Sequence, residues 1–372
     1  MNRLFAAVTV TSAIALTNDI HAHHSSAPHF DHDKTINATG SVTELKFVNP
    51  HSYIYFDVEQ DEGIVNWRCE LSSASFHTRN GWTRDMFETG EKITVTGSPA
   101  KREENVCFMR NIVREDGSNL ARTGIISEVK ETVAAVTDRP DSMENGQPNI
   151  SGPWITLSFG RNGQGFQPNW VASEAGIAAV GDYDIAFDDP ILRCHVVNII
   201  KGWNHDKNIN EITQTEDLIT LQYGFMDAVR TIHLTMDEHP EDIEPSATGH
   251  SIGKWEGDTL VVDTIGFEEG IWEHRDGSHT SDQMHIVERF RYDTESKTLI
   301  RDYTINDPLY LAELAIGQDV QAISASGYKP YNCVELSGKN NIRPEEWEDE
   351  PSAAAPAATE QPNEKPWWKI WD

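Results

Sequence analysis

The chain has 372 residues and a net charge of −30, from 60 acidic against 30 basic side chains. That balance argues against nucleic acid and anionic membrane surfaces as partners, because both are polyanions. The length allows two domains with a sizeable core, and the apolar run Leu4–Leu16 is too short for a transmembrane helix.

Met1–Ala22 reads as a secretory signal: Arg3 supplies the charge, Leu4–Leu16 the apolar stretch, and Ala22 the small residue before cleavage. Export predicts a periplasmic or secreted protein with His23 as the mature N-terminus. The start HHSSAPHFDHD is dense in metal-ligand residues. A free amine and the imidazole of His23, joined by His24 or His51, suit Cu(II). In an oxidising compartment the four cysteines pair. Three connectivities exist, and one bridge per domain, Cys69–Cys107 and Cys194–Cys333, is the expected one.

Residues 23–118 read as a first β domain. Strand-like alternation runs over Ile36–Val48, Ser52–Glu59, Val65–Ser72, Glu91–Lys101 and Val106–Val113, with a short helix expected within Ser73–Phe87. Five strands with a helix between the third and fourth is the order of an OB-type barrel. Residues 119–148 read as linker or extension, since Asp138–Gln147 is rich in breakers.

Residues 149–343 read as a second, lipocalin- or calycin-like antiparallel barrel, so the fold class is all-β. Gly152-Pro153-Trp154 opens it, a helix is expected within Trp170–Val180, and short strands follow: Glu211–Thr215, Leu218–Tyr223, Ala228–Thr235, Ser251–Glu256, Thr259–Ile265, Met284–Tyr292, Thr298–Asn306 and Val320–Ser324. Closing a barrel removes exposed edges and leaves an interior able to hold one small molecule.

The hairpin Met284–Asn306 carries the most informative pattern. Met284, Ile286, Glu288, Phe290 and Tyr292 share one face, as do Leu299, Arg301, Tyr303 and Ile305. A four-residue connector Asp293–Ser296 sets Glu288 opposite Arg301 and Phe290 opposite Leu299. A buried charge costs several kcal/mol unless paired, so the two should meet. One reading is an internal ion pair that fixes the register. The other is a cavity in which Glu288 or the nearby Asp263 carries a proton and Arg301, Tyr303, His285 and His250 contact a small, largely apolar ligand. The polar loop Asp237–His250 would lie over its mouth. That loop and Glu268–Asp282 contain His239, His250, His274 and His279, with Glu273, Asp276 and Asp282 nearby; a metal site is conceivable there, but without His-x-His or HExxH spacing they read first as solvated loops. There is no GxSxG element, P-loop, CxxC or dinucleotide fingerprint.

Residues 344–372 form an acidic Ala/Pro/Glu tail ending in PWWKIWD. Trp367, Trp368 and Trp371 either fold back on the domain or dock to a partner protein or a membrane interface. The alternatives to ligand binding are therefore a copper protein and a non-catalytic interaction scaffold.

The order HHS…FD, GSVTELKFVNPH, GHSIGKWEGDTLVVDTIGF, HIVERFR and INDPLY resembles a group of bacterial exported proteins known mainly as a family of unknown function. The resemblance implies that His23, His24, His51, His250, Glu256, Asp263, Glu288 and Asp307 sit at motif positions. Relatives of this type carry Cys-His-Glu-Gly-Asn where this chain has Cys333-Val334-Glu335-Leu336-Ser337.

Overall fold

The computed structural model describes residues 26–122, 139–158, 170–205, 208–273, 275–336 and 339–344. The leader Met1–Ala22, His23, His24, His274 and the tail residues Trp367, Trp368 and Trp371 lie outside these. No helix among the described residues is long and apolar enough to cross a membrane.

The first domain is built from β1 (Ile36–Lys46), β2 (Tyr53–Gln60), β3 (Gly63–Glu70), α1 (Ala74–Arg79), β4 (Lys92–Pro99) and β5 (Val106–Arg114). The strands run β3-β2-β1-β4-β5, and a parallel pairing of β3 with β5 closes them into a barrel. That is the OB-type order expected from the sequence. Cys69 and Cys107 are register partners in the closing pair and are disulfide-bonded. Within Ser73–Phe87 only six residues are helical, started by the Ser73 hydroxyl, which accepts the Phe76 N–H. The segment expected as linker begins with β6 (Asn119–Ala121), which pairs with β5 and extends the first domain.

The second domain closes nine strands in the order β10-β11-β12-β15-β16-β17-β7-β8-β9. They are β7 (Gly152–Ser158), β8 (Asn210–Gln214), β9 (Leu218–Gln222), β10 (Val229–His233), β11 (His250–Glu256), β12 (Thr259–Ile265), β15 (His285–Asp293), β16 (Thr298–Asn306) and β17 (Ala315–Ile323). A short hairpin, β13 (Gly270–Glu273) with β14 (Ser278–Thr280), lies in the polar loop before β15. Trp154 is fully buried, donates its indole N–H to Ile150 O at 2.8 Å, and meets Tyr292 edge-on.

Two features depart from a simple antiparallel barrel. β10 and β11 are parallel, so residues 234–249 must return along the barrel before β11 can start. They do so as a loop over the outer wall: Ser246 bridges to Phe267, and Ile243 sits on Gly266. Gly266 has φ +73°, and a Cβ there would stand 2.4 Å from Ile243 Cγ2, so only glycine fits. The second feature is α4 (Ile199–Asn204), whose Ile199, Ile200 and Trp203 join the barrel's core cluster. The chain between β7 and β8 also holds α2 (Glu174–Val180), α3 (Ile185–Asp188) and a 3-10 turn (Pro190–Arg193).

The hairpin β15–β16 keeps its predicted faces but not its predicted register. Asp293 is the last strand residue, and its Oδ1 accepts the N–H groups of Glu295 and Ser296. This Asx-type turn, with Lys297 at φ 55°, moves the connector to residues 294–297. Glu288 therefore faces Tyr303, and Phe290 faces Arg301. A shift of two residues preserves which side chains point inward.

A strap near the C-terminus joins the two barrels. Cys194 and Cys333 are disulfide-bonded, as expected. Val334 donates its N–H to Asn49 O at 2.7 Å, Asn49 donates its side-chain amide to Tyr331 O, and Leu336 donates to Leu192 O at 2.8 Å. Tyr53, Leu192 and Leu336 bury one another at the junction.

Candidate functional site

Three clusters hold the predicted site residues, and they are far from equivalent. The first is inside the second barrel. Glu288 and Arg301 do form an ion pair, at 3.2 Å, with both side chains fully buried. It runs diagonally across the pair rather than directly. Glu288 also binds Arg230 at 2.5 Å, and Arg301 binds Asp319 at 2.5 Å. The four charges cancel. Arg230 donates further to Ser251 Oγ and Thr264 Oγ1. Arg301 donates to the carbonyl oxygens of Ile199 and Ile200, and Asn204 donates to Asp319. The network thus fastens α4 into the barrel. Burial disfavours the Glu288 carboxylate, but the Arg230 and Arg301 guanidinium groups outweigh it and hold its pKa low. Burial pushes Asp319 up against the pull of Arg301. Tyr303 is buried against the same group, under the Arg301 guanidinium. Where a ligand chamber was expected beside Glu288, α4 and a packed apolar cluster occupy the space.

The second cluster is on the outer wall of that barrel. Side chains alternate, so His233 of β10, His250 of β11, Asp263 of β12 and His285 of β15 all point outward. Asp263 therefore does not join Glu288, and His250 and His285 do not share a chamber with Arg301. The loop 234–249 adds His239. Its Nε2–H donates to Asp263 Oδ1 at 3.0 Å, and its Nδ1 lies 2.8 Å from His250 Nδ1. His285 donates to the other Asp263 oxygen at 2.8 Å. His233 and His250 stack, with centroids 5.2 Å apart and 11° between planes. Burial, then repulsion from His239 and His233, lowers the His250 pKa and keeps it neutral. The loop read as a lid over the mouth is instead laid along the wall.

The third cluster lies between the domains. A cavity of about 50 Å³ is lined by residues of both, among them Ser26, His29, His51, Ser73, Asp189 and Leu192. Asn49-Pro50 is cis and leads into His51. His51 Nδ1 lies 2.7 Å from Glu70 Oε1, an ion pair when the ring is protonated. Glu70 is 3% exposed; burial raises its pKa, and His51 more than reverses this, so the carboxylate is held ionised. His29 is buried beside it and donates to Asn340 O at 2.8 Å.

A family of unknown function, DUF6152, matches residues 12–108. The match covers the first barrel as far as the start of β5, with His51 and Glu70, and stops short of the second domain. No curated protein matches the chain in sequence. Among solved structures, a luciferase domain from the dinoflagellate Lingulodinium polyedrum shares 16% identity, over 51% of this chain and 50% of its own length, with a TM-score of 0.20. This chain thus spans half of that one, and a likeness so loose carries no functional argument.

Sequence reasoning missed His233, Arg230, Glu70 and α4, and placed His239 only as a loop histidine. Arg230 was detectable as a charge on the apolar face of its strand; His233 lies on the outward face, where a polar residue is expected and gives no signal. Glu70 also sits in a strand, two residues from a charged neighbour, and nothing local marks it as buried. Asp307, a motif position, is fully buried and accepts from Ser281 N, Ser281 Oγ, Leu309 N and Tyr310 N, which makes it a loop organiser.

Proposed function

We propose that this is an exported protein that binds a small molecule in the cleft between its two barrels, with His51 as the principal polar contact. The carrying observation is the buried Glu70–His51 pair at a cavity lined from both domains. Domain boundaries with a few convergent polar groups are a usual setting for ligands, and a cavity of about 50 Å³ admits a molecule of only a few heavy atoms. Leu71, Phe76, Phe108 and Leu192 supply apolar wall, and His51, Ser73 and Asp189 supply polar contacts. This favours a small amphiphilic ligand. Export is supported by the Met1–Ala22 pattern and by two disulfides, which suit an oxidising compartment.

The test is a thermal-shift screen of small amphiphilic molecules against the wild type, His51→Ala and Asp263→Asn. Ligands should stabilise the wild type and Asp263→Asn but not His51→Ala. An empty screen, or equal shifts in all three, refutes the reading.

A specific observation also favours copper. A carboxylate behind the ring of a histidine is the usual outer partner of a metal-bound imidazole, and Ser26, three residues after His23, lines the same cavity as His51. Mass spectrometry of the exported protein establishes whether His23 is the N-terminus. Copper titration of His23→Ala and His51→Ala then decides: unchanged affinity in both removes this reading.

A further inference from the structure

We infer that the outer wall of the second barrel holds a second, independent site, for a divalent transition metal that favours imidazole, with His239 and His250 as its ligands and Asp263 as their support. The geometry starts from the 2.8 Å separation of His239 Nδ1 and His250 Nδ1. Two nitrogens each about 2.0–2.1 Å from one zinc ion are about 2.9 to 3.4 Å apart, depending on the angle between them. To share an ion the two imidazoles must spread by a few tenths of an ångström and turn so that both lone pairs point at it rather than at each other. In its absence the same contact closes as a hydrogen bond.

The surroundings match what such a ligand pair requires. Asp263 Oδ1 holds His239 through the opposite ring nitrogen, Nε2. This is the carboxylate–imidazole arrangement that orients a metal-bound histidine and raises its basicity. The other Asp263 oxygen is held by His285 at 2.8 Å, so the carboxylate itself is oriented. The parallel stack on His233 fixes the plane of His250. The loop carrying His239 also bears Asp237, Glu238, Glu241, Asp242 and Glu244, all exposed, which raise the local concentration of cations.

Among the described residues no three ligand side chains converge on one point. The site therefore supplies two protein nitrogens and leaves the remaining positions to water or to an exogenous group. Open positions of this kind are what a metal needs to act on a ligand rather than only to brace a fold. Affinity should accordingly be modest, and it should depend on Asp263 although that residue is not a ligand.

The experiment is calorimetric titration of the full exported chain with zinc alone. It is done in a His23→Ala/His24→Ala background, so that the leader histidines do not compete. One saturable site is expected. His239→Ala and His250→Ala should each weaken it at least tenfold, and Asp263→Asn by about 10- to 100-fold. His51→Ala, at the interdomain cleft, should leave it unchanged, which separates this site from the copper reading above. Folding is checked by the thermal midpoint of each variant. Absence of saturable zinc binding overturns the inference. So does equal affinity in His239→Ala, or loss of the site in His51→Ala.

Discussion

Replacing Glu288 by Gln should be among the most damaging single changes in the second barrel. The carboxylate is fully buried and stands between two guanidinium groups, 2.5 Å from Arg230 and 3.2 Å from Arg301. Arg301 keeps Asp319 when Glu288 is neutralised, but Arg230 keeps only hydroxyl partners, Ser251 and Thr264. One buried cation is thus left without a counter-charge, which costs about 3–5 kcal/mol. For a domain of this size each kcal/mol moves the midpoint by roughly 2–4 °C, so Tm should fall by roughly 6–20 °C. Asp319→Asn should cost less, because burial already pulls that carboxyl towards its neutral form. The double variant Glu288→Gln/Arg230→Met should recover part of the loss, since removing both members of a buried pair leaves no orphan charge. Calorimetry and urea unfolding measure all three. A Glu288→Gln protein within about 1 kcal/mol of wild type would show that the four charges are not desolvated as a unit, and the account of α4 as a fastened plug would go with it.

The remaining expectations concern pH and covalent closure. His77 is fully buried, accepts the Ser72 N–H on Nε2, and has its pKa lowered by burial from 6.5 to about 3. The unfolded chain then binds a proton that the folded one refuses, so the first barrel should lose about 1.4 kcal/mol per pH unit as pH falls from 6.5 towards 3. Urea midpoints across that range measure it, and a slope unchanged in His77→Gln would assign the loss elsewhere. Glu288 acts at lower pH. Its depressed pKa contributes stability above the ordinary carboxylate range that is lost as pH falls through its folded value, while Asp319 has the opposite sign. Calorimetry of the second barrel from pH 6 down to 3 should show the Glu288 loss, and Glu288→Gln should abolish it. Cys69–Cys107 closes a separation of 38 residues across the β3–β5 seam. The double Cys→Ser variant should lose roughly 4 kcal/mol in urea unfolding; a loss under about 1 kcal/mol would mean the seam is held by its hydrogen bonds alone.

Much of this fold could be read from alternation, and the misses share a cause. Each strand of the first barrel is bounded by a turn signal and keeps a period of two over most of its length, bulges at Val42/Glu44 and Thr96/Gly97 apart, so order and helix position were legible. The same rule placed Glu288 and Arg301 inward correctly, because a charge on an apolar face is visible in any register. The register itself was not legible. It depended on the Asp293 side chain closing the turn onto Glu295 and Ser296, and one residue of ambiguity at a hairpin end becomes a two-residue offset in pairing. Asp263 is flanked by Val261 and Ile265 on its own face and by Val262 and Thr264 on the other, so alternation could not assign it. α4 is six residues long and is surrounded by breakers, too short for a helical period to show. His239 comes from a loop, where no periodicity constrains position; its partners follow from the β10–β11 parallel pairing, which no local pattern encodes.

The two charge clusters of the second barrel occupy opposite faces of the same strands, and the contrast separates structure from function. Glu288 and Asp263 both sit on strands of the β12–β15 pair, and both are acids flanked by partners of opposite or neutral charge. Glu288 is sealed: its two oxygens meet two guanidinium groups with no exposed surface, and its neighbours fasten a helix. A group so committed cannot bind a ligand without first breaking a network worth several kcal/mol. Asp263 is 38% exposed on its side chain and His285 40%, and the imidazole contact between His239 and His250 can open by a small ring displacement. Desolvated and saturated, the inner cluster sets stability. Half-exposed and adjustable, the outer one retains coordination capacity, which is why the metal inference rests on His239 and His250 while the charge pair most visible in the sequence is assigned to the fold.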